Sequence, residues 1–341
     1  MLFIDQPIGA GFSETTDPSL WAANLVEAGI DFDKFLDTFL DDLFPTLRDR
    51  PIHIAGESFG GKYVPVYTSM TRHKVDSVIL VNALVNMPQT VLGLYDHFCV
   101  PFPTANEEAS PRRFNASSCT LMAEGYSQCD KFSRICDSTY DSDICFTAFE
   151  KCMPLYELFF VEVAPGGRHP YDDRLTCDEP PMCGKLGMEP VSKYLNKGAV
   201  QNTLGFKETF DFRPVNMELN AKWSTQPDVW VPSTREIAEL LDSKHTRVLV
   251  VNGNNDIIVN TEGVLKTYDA MLWTGHTGFQ AEEFKPWYFQ DTSGENVRGG
   301  SFKANGNLTI VTVDEAGHMS PRDQPKAVAE VVRNWMDNAD H

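Results

Sequence analysis

Apolar residues recur at helical spacing in two long stretches of the chain. The spacing between residues 19 and 44 predicts one amphipathic helix packed on a core, with its aromatic side chains buried. The same periodicity predicts a second helix over Pro325–Asn338, near the end of the sequence. The apolar stripe of the first helix is Trp21, Leu25, Ala28, Phe32, Phe35, Leu36, Phe39 and Leu43.

Four short runs of mostly apolar, β-branched residues predict strands. Segments that favour helices separate them along the chain. Alternating strands and helices are typical of the α/β class, in which helices cover both faces of a mainly parallel sheet. The predicted strands are Pro51–Ala55, Val75–Val81, Arg247–Asn252 and Leu308–Val313.

The sequence changes character in its middle part. Strand-like runs disappear there, and Cys, Pro and Gly become frequent, as in Ala164-Pro-Gly-Gly167 and Glu179-Pro-Pro-Met182. We interpret this part as an insertion that caps the carboxyl edge of the sheet. The expected organisation is a first part of the α/β core over residues 1–92, a cysteine-rich cap over residues 93–235, and a second part of the core over residues 236–341.

Length and charge narrow the classes of function. The chain has 341 residues, of which 42% are hydrophobic, so it can bury a large core. Its formal net charge of −19 argues against a nucleic-acid surface, because phosphate binding needs clustered Lys and Arg. No run reaches the roughly eighteen apolar residues of a membrane span. The opening Met1-Leu-Phe-Ile-Asp5 is typical of the end of a core strand and not of a signal peptide.

The cysteines favour disulfide bonds formed along a secretory route. All eight lie in the expected cap, and sequons at Asn115-Ala-Ser117 and Asn307-Leu-Thr309 predict glycosylation of Asn115 and Asn307. A zinc site is the alternative, but no C-x2-C pair occurs and no histidine stands at zinc-finger spacing, so we expect no metal. The cysteines are Cys99, Cys119, Cys129, Cys136, Cys145, Cys152, Cys177 and Cys183.

A candidate nucleophile follows the first predicted strand. The sequence Gly56-Glu57-Ser58-Phe59-Gly60 matches the G-x-S-x-G pattern and stands between that strand and a helix beginning near Gly61. The glycines permit a sharp turn that exposes the Ser58 hydroxyl at the carboxyl end of the sheet. The pattern alone is weak, because an ordinary turn between a strand and a helix can have the same residues.

Candidate acid and base residues complete the chain order of an α/β-hydrolase, which is Ser, then Asp or Glu, then His. Asp256 and His318 each follow a predicted strand, at the edge where open α/β sheets place their sites. The imidazole would take the serine proton, and a buried carboxylate would hold the imidazole in the required tautomer. Asp314 is a rival acid, although it lies too close in sequence to His318 for the usual topology. His53 and His97 receive no catalytic role.

Longer motifs add to these candidates. Phe3-Ile-Asp-Gln-Pro-Ile-Gly-Ala-Gly-Phe-Ser13, Gly56-Glu-Ser-Phe-Gly-Gly-Lys-Tyr-Val-Pro65 and Gly317-His-Met-Ser-Pro321 resemble the DQPxGxGFS, GESYxGxYxP and GHMVP motifs of the serine carboxypeptidases, in particular the carboxypeptidase Y-like branch. Tyr171-Asp-Asp-Arg174 and Tyr194-Leu-Asn196 match further landmarks of that family. The resemblance covers nearly the whole chain. It implies an α/β-hydrolase fold with a mostly parallel central sheet and a disulfide-rich cap.

The resemblance also implies how the cysteines pair. A fifth family disulfide would tie the cap to the amino-terminal core, but Phe210 stands where its cysteine would be, so we expect that bridge to be absent. The four implied bridges are Cys99–Cys119, Cys129–Cys152, Cys136–Cys145 and Cys177–Cys183.

The activity implied by the resemblance is removal of the carboxy-terminal residue of a peptide through an acyl-enzyme. Ser58 would be the nucleophile, His318 the base and then the acid, and Asp256 the residue that orients His318. The Phe59 N–H would be an oxyanion donor. Glu57 would share a proton with the substrate carboxylate, which favours acidic pH. The resemblance further implies that Met319 and Val259 line the pocket for the leaving residue.

The chain also departs from the family pattern. The family has an amino-terminal part with an NGGPG motif and a second oxyanion donor, and this sequence begins after it, so we expect a truncated copy or a variant with impaired catalysis. Asn254 stands where the family usually has Asp, which would alter the hydrogen bonds around the acid.

Three functions therefore remain open. They are a peptidase acting on peptides and proteins, an impaired remnant that only binds, and an acyltransferase that uses the same triad. The peptidase hypothesis implies that the protein enters the secretory pathway and is either vacuolar or extracellular. We expect no cofactor.

Overall fold

A mixed β-sheet lies at the centre of the structure. The computed structural model describes residues 1–13, 15, 17–100, 114–162, 167–178, 183, 188–206 and 210–337. The strands in these residues are β1 (His53–Glu57), β2 (Ser77–Val81), β3 (Arg168–His169), β4 (Asp172–Thr176), β5 (Arg247–Gly253), β6 (Lys285–Gln290), β7 (Asn296–Asn305) and β8 (Leu308–Val313). Six of them form one sheet in the order β1-β2-β5-β8-β7-β6, whose first four strands run parallel.

The four strands predicted from the sequence are β1, β2, β5 and β8. The last three are buried along almost their whole length. Leu80 pairs with Val250, and Val250 pairs with Ile310. Because side chains alternate between the faces of a sheet, these residues belong to the core on one face, while Ile79 and Leu249 belong to the core on the other. Such two-sided burial explains why these runs are mostly apolar and do not alternate with exposed polar residues.

Strands β6 and β7 extend the sheet in antiparallel fashion beyond β8, and the sequence prediction missed them. In β6 the side chains of Trp287 and Phe289 are partly buried, while Tyr288 between them is exposed. The Trp287 indole donates a hydrogen bond to the Thr312 carbonyl at 3.0 Å. This alternation, followed by the turn Asp291-Thr-Ser-Gly294, is a typical hairpin pattern.

Helices cover both faces of the sheet. They are α1 (Leu25–Asp37), α2 (Gly60–Met70), α3 (Met87–Cys99), α4 (Ala116–Thr139), α5 (Ser142–Glu162), α6 (Met188–Leu195), α7 (Gly198–Thr203), α8 (Met217–Ser224), α9 (Thr234–Asp242), α10 (Thr261–Ala270), α11 (His276–Ala281), α12 (Ser320–Asp323) and α13 (Pro325–Met336). Helices α2, α9 and α10 pack on one face of the sheet and α13 on the other. Among the described residues, no helix is both long enough and apolar enough to span a bilayer. Asn338, the predicted end of the last helix, lies outside them.

The first helix is shorter than predicted. Its N-cap is Asn24, whose side chain accepts the N–H of Glu27 at 2.9 Å. Glu27 in turn accepts the N–H of Ala23, the residue before the cap, at 2.7 Å. At the other end the helix widens into a π-helix over Thr38–Leu43. Leu43 is 62% exposed, so the prediction of a buried stripe was wrong at that end.

The cap is largely helical. Helices α4 and α5 form a hairpin joined by two of the disulfides, and the short antiparallel pair β3–β4 follows, although we expected no strands here. Ala164–Gly166 and Glu179–Met182 lie outside the described residues. The disulfides join the pairs implied by the resemblance, namely Cys99–Cys119, Cys129–Cys152, Cys136–Cys145 and Cys177–Cys183.

Helix α3 crosses the expected boundary at residues 92 and 93. Leu92 and Phe98, from its two halves, belong to the same buried cluster, which also contains Met122 of α4 and Leu155 of α5. This cluster includes Ile257, next to the candidate acid Asp256. The cap therefore begins within a helix that packs on the core, and the buried cluster of the cap extends to the residue beside the candidate acid.

A cluster of aromatic rings joins the cap to the amino-terminal segment. The Phe12 ring lies 5.1 Å from Phe206, 5.4 Å from Phe210 and 4.7 Å from Phe212. The Asn216 side chain also donates to the Gly9 carbonyl at 2.8 Å. Phe210 thus makes a packing contact between these two segments, at the position where the family resemblance implied a cysteine.

Candidate active site

Ser58 lies at a sharp turn between β1 and α2. Its φ of 57° is left-handed, a conformation that costs a non-glycine residue about 1–3 kcal/mol. The Ser58 N–H lies 3.1 Å from the carbonyls of both Val81 and Asn82. The Ser58 carbonyl accepts the N–H of Leu84 at 2.8 Å, so the neighbouring strand end holds the turn in place. Gly61 permits this approach, because a Cβ there would lie 2.5 Å from the Leu84 oxygen.

Asp256 and His318 form a buried hydrogen-bonded pair. His318 Nδ1 lies 2.7 Å from Asp256 Oδ2, and the two residues are 3% and 0% exposed. Asp256 follows β5 and His318 follows β8, so adjacent parallel strands bring them to one edge of the sheet. The Val259 N–H donates to the second carboxylate oxygen at 3.1 Å. A carboxylate held at Nδ1 fixes the ring and leaves Nε2 as the nitrogen that can exchange a proton.

Asn82 connects the serine turn to the acid, and the sequence analysis did not identify it. It follows the buried strand β2, and its side chain donates to Asp256 Oδ2 at 2.8 Å. Its amide oxygen accepts the Ser320 hydroxyl at 2.7 Å. A polar residue at the end of an apolar parallel strand was the available indication, since such strand ends meet at one edge.

The rival acid Asp314 belongs to a separate cluster. Asn254 donates to one Asp314 carboxylate oxygen at 2.7 Å, and Arg298 lies 3.4 Å from the other. Thr261 donates its hydroxyl to the Asn254 side-chain oxygen at 3.1 Å. The described hydrogen bonds of the Asn254 side chain therefore lie away from Asp256, contrary to the expectation that this position would alter the hydrogen bonds around the acid.

Burial and nearby negative charges act in opposite directions on the pKa of the candidate base, His318. Burial lowers the pKa of His318, but the charge and hydrogen bond of Asp256 and the charge of Glu57 outweigh it, so the net shift is upward. Glu57 is exposed by surface area. The surrounding protein still removes enough water from its carboxyl to raise the pKa of Glu57, with Asp256 adding to the rise and His318 opposing it. Protonation of Glu57 and of His318 is therefore coupled.

The other sequence candidates lie beside these groups. Within the described part of the chain, the N–H of Phe59 donates to no acceptor, so it is available at the start of α2. Met319 directly follows His318 and is partly buried. Val259 is 2% exposed and packs in the core, and its backbone N–H donates to Asp256.

The β3–β4 hairpin of the cap supports the loop that carries His318. The His318 N–H donates to the Tyr171 carbonyl at 2.7 Å, and the two rings lie 5.2 Å apart. Arg174 binds Asp172 and also lies 3.6 Å from Asp323, whose carboxylate accepts the N–H of the residue before His318. The sequence indicated this segment only as a family landmark, since a backbone carbonyl leaves no trace in sequence.

One described group has ligand atoms close enough to hold a metal ion, namely Asp33, Asp37 and His73. Its members already have partners. Asp37 accepts from His73 at 2.8 Å and from Arg72 at 2.5 Å, and Asp33 accepts the Thr71 hydroxyl at 2.6 Å. The nearby guanidinium supplies the positive charge that a cation would bring.

Comparisons with known proteins show the family of the chain. The family described as serine carboxypeptidase matches residues 1–338 of the chain. Carboxypeptidase Y of Komagataella phaffii is 29% identical over 98% of this chain and 61% of its own length. A carboxypeptidase Y homolog A of Ajellomyces capsulatus is 31% identical over 98% of this chain and 59% of its own length. The chain thus spans about three fifths of the length of these relatives.

A solved structure shares the fold. The crystal structure of a prohormone-processing carboxypeptidase from Saccharomyces cerevisiae superposes with a TM-score of 0.76 at 22% identity. The match covers 98% of this chain and 73% of the yeast chain. The expected α/β-hydrolase fold, with its mostly parallel sheet and disulfide-rich cap, is therefore confirmed.

Proposed function

Because the chain belongs to the serine carboxypeptidase family, we propose that it releases the carboxy-terminal residue of peptides through a Ser58–His318–Asp256 mechanism. The observation that carries the proposal is the buried 2.7 Å hydrogen bond between His318 and Asp256, which Asn82 links to the strained turn of Ser58. A hydrolytic triad needs this oriented imidazole.

The proposed first half-reaction forms an acyl-enzyme. The Ser58 oxygen attacks the scissile carbonyl carbon while His318 Nε2 takes the hydroxyl proton. The carbonyl electron pair moves to oxygen, and the N–H of Phe59 donates a hydrogen bond to that oxyanion. As the C–N bond breaks, His318 returns the proton to the leaving amine. Asp256 stabilises the transient imidazolium and stays ionised.

Water completes the cycle in the second half-reaction. It attacks the ester carbonyl while His318 takes one of its protons, and the proton then passes back to Ser58 as the ester C–O bond breaks. The peptide shortened by one residue leaves as a carboxylic acid. The triad is thereby restored.

We propose that Glu57 recognises the free carboxylate of the substrate. Two carboxylates can bind each other only if they share a proton, so Glu57 would act in its protonated form. Its pKa is raised, chiefly by burial, which favours that form at acidic pH. The base, however, must be neutral, and the pKa of His318 is also raised. The active form therefore pairs neutral His318 with protonated Glu57, and we expect a bell-shaped pH profile for peptide cleavage.

We propose, from the family resemblance alone, that Met319 and Val259 line the pocket for the leaving residue. Met319 is next to the base and partly buried, which suits a pocket wall. The Val259 side chain packs in the core, so it would support the wall of such a pocket without being exposed in it.

We also propose that the protein passes through the secretory pathway. Four disulfides form in the cap, as is usual in oxidising compartments. Asn115 is exposed at the start of α4, and Asn307 is partly exposed in the turn between β7 and β8, so both sequons are accessible for glycosylation.

The deciding experiment measures release of the terminal residue from an N-blocked dipeptide at about pH 5, for this chain and for Ser58→Ala. Near-UV circular dichroism verifies that both are folded. Release that disappears in Ser58→Ala supports the proposal, whereas release that survives the substitution overturns it. A folded chain without activity would be a binding protein of the same fold. Transfer of the acyl group to an added alcohol in preference to water would assign it as an acyltransferase.

A further inference from the structure

His97 of α3 lies between two carboxylates in the interior. Its Nε2 is 3.2 Å from Asp173 Oδ2, and its Nδ1 is 2.9 Å from Glu262 Oε2. The side chains of His97 and Asp173 are each 1% exposed. A neutral imidazole can donate from only one nitrogen. With a carboxylate at both nitrogens, the ring is therefore held as an imidazolium.

The three residues of this cluster come from three different parts of the fold. His97 belongs to the core helix α3, Glu262 lies in the first turn of the core helix α10, and Asp173 belongs to the cap strand β4. The imidazolium therefore attaches the cap hairpin to the core. Without its charge, one ring nitrogen would direct a lone pair toward a carboxylate, and that hydrogen bond would be lost.

Asp173 in turn holds the turn that carries the candidate acid. The Asn255 side chain donates to Asp173 Oδ1 at 2.6 Å, and the Asp173 N–H donates to the Asn255 carbonyl at 2.9 Å. Asn255 immediately precedes Asp256. Its own N–H donates to the Ala316 carbonyl at 2.8 Å, in the loop that leads to His318. One continuous set of hydrogen bonds thus runs from His97 to the loops of both the acid and the base.

We infer that His97 is a positioning residue for the reaction proposed above, whose protonated ring holds the β3–β4 hairpin on the turns that carry Asp256 and His318. It touches no reacting atom. Loss of its proton releases the hairpin, and the acid–base pair then loses its alignment. Activity therefore depends on a histidine that lies outside the triad.

The charges around His97 set the pH at which the hairpin is released. Burial lowers the pKa of His97, but Glu262 and Asp173 outweigh it and raise that pKa to about 9. Further charged groups on the same elements include Asp96, which pairs with Lys266 of α10 at 2.8 Å, Arg168 of β3, over the adjacent Phe98 ring at 5.3 Å, and the Arg174–Asp172 pair of β4. Because the folded-state pKa is raised, the stabilisation is complete below about pH 6.5 and disappears as the pH rises through about 9.

The test compares Asp173→Asn with the unchanged chain and uses two readouts. One is the rate at which a fluorophosphonate reacts with Ser58 as a function of pH, and the other is the titration of His97 followed by NMR. We expect the His97 titration to move to lower pH, and the fall in the labelling rate to move with it. At about pH 8 the variant should react about tenfold more slowly, since misaligned catalytic groups lose rates of this order. The matched control is Asp37→Asn, which breaks a histidine–aspartate contact with His73 elsewhere and should change neither curve.

Several results would overturn the inference. One is an unshifted His97 titration, and another is a shifted titration with an unchanged labelling profile. If Asp173→Asn fails to fold, Asn255→Ala takes its place, because it removes the side-chain hydrogen bond from Asn255 to Asp173 and leaves both contacts of His97 intact. In that variant His97 should still titrate near pH 9 while labelling no longer follows it.

A separate readout distinguishes failure of the proposed peptidase function from failure of the inference about His97. If the unchanged chain is not labelled at any pH, the peptidase proposal fails. The low-field proton resonance of His318 Nδ1–H then tests the alignment directly, with His318→Gln to assign it. The resonance should shift or broaden in Asp173→Asn and not in Asp37→Asn, and an identical resonance in both would overturn the inference.

Discussion

The α/β core and the cap reach stability in different ways. In the core, strands β2, β5 and β8 are almost entirely buried, and all four disulfides lie outside its sheet. In the cap, the long helix α4 buries few of its residues, two of which are disulfide cysteines. A layered sheet buries apolar surface on both faces, whereas a helical hairpin on the surface does not, and the covalent bonds compensate for the difference.

Apart from the Cys99–Cys119 disulfide between α3 and α4, the described contacts between the two regions are non-covalent, and several of them lie at the candidate site. The hairpin supports His318 through the Tyr171 carbonyl and Asp256 through Asn255. Catalytic alignment should therefore respond to this interface more than to the stability of either region. Four substitutions test that comparison.

The largest expected effect is the loss of turnover when the candidate acid, which follows core strand β5, is replaced. Asp256→Asn should lower the turnover rate about ten-thousand-fold, because the amide favours the wrong imidazole tautomer. Steady-state kinetics on a blocked dipeptide measures the loss. Asp314→Asn is the matched control and should stay within about tenfold of the unchanged chain, since Asp314 binds Asn254 and Arg298 instead. Equal losses in both variants would mean that the acid has been wrongly assigned.

The next effect concerns the covalent bonds of the cap. Replacing Cys129 and Cys152 together by Ala removes a bridge between residues 23 apart and should destabilise the cap by about 3 kcal/mol. Hydrogen exchange should show α4 and α5 opening more easily while β5 and β8 keep their protection. Removing the Cys136–Cys145 bridge, which spans 9 residues, should cost less. Equal loss of protection in the sheet would show that cap and core unfold together.

A smaller effect is expected at the aromatic contact between the regions. Phe12→Ala removes one ring that touches three others and should reduce the free energy of unfolding by about 1–2 kcal/mol. Urea denaturation measures it. Phe44→Ala is the control, because Phe44 is 47% exposed and its loss should cost below about 0.5 kcal/mol. Similar losses of unfolding free energy in both variants would show that the aromatic cluster is not a specific link between the cap and the amino-terminal segment.

The smallest effect is on pH dependence. Glu57→Gln should lower peptide cleavage only several-fold at acidic pH, because an amide can still donate to the substrate carboxylate. The unchanged chain should lose activity as rising pH ionises Glu57, whose pKa is raised chiefly by burial. The variant should lack that decline. Profiles of kcat/KM that coincide would remove Glu57 from substrate recognition.

The sequence alone predicted the central elements of the fold. Runs such as Ser77–Val81 and Leu308–Val313 are mostly apolar because these parallel strands are buried at every position, on both faces. The edge strand β6 was missed because only one of its faces is covered, which weakens its pattern. The first helix was drawn too long because periodicity continues past a cap, while the Asn24 side chain that begins the helix is a local hydrogen-bonding feature.

The candidate triad could also be proposed from sequence, since its residues follow strand ends in a fixed chain order. The sequence also favoured Asp256 over Asp314 on topology, whereas the contact itself depends on the fold, since β5 and β8 place Asp256 Oδ2 2.7 Å from His318 Nδ1. The bridging role of Asn82 and the burial of His97 between two carboxylates were likewise set by tertiary structure. Periodicity and turn chemistry depend on neighbours in sequence, whereas these contacts join residues far apart in the chain, and only packing brings them together.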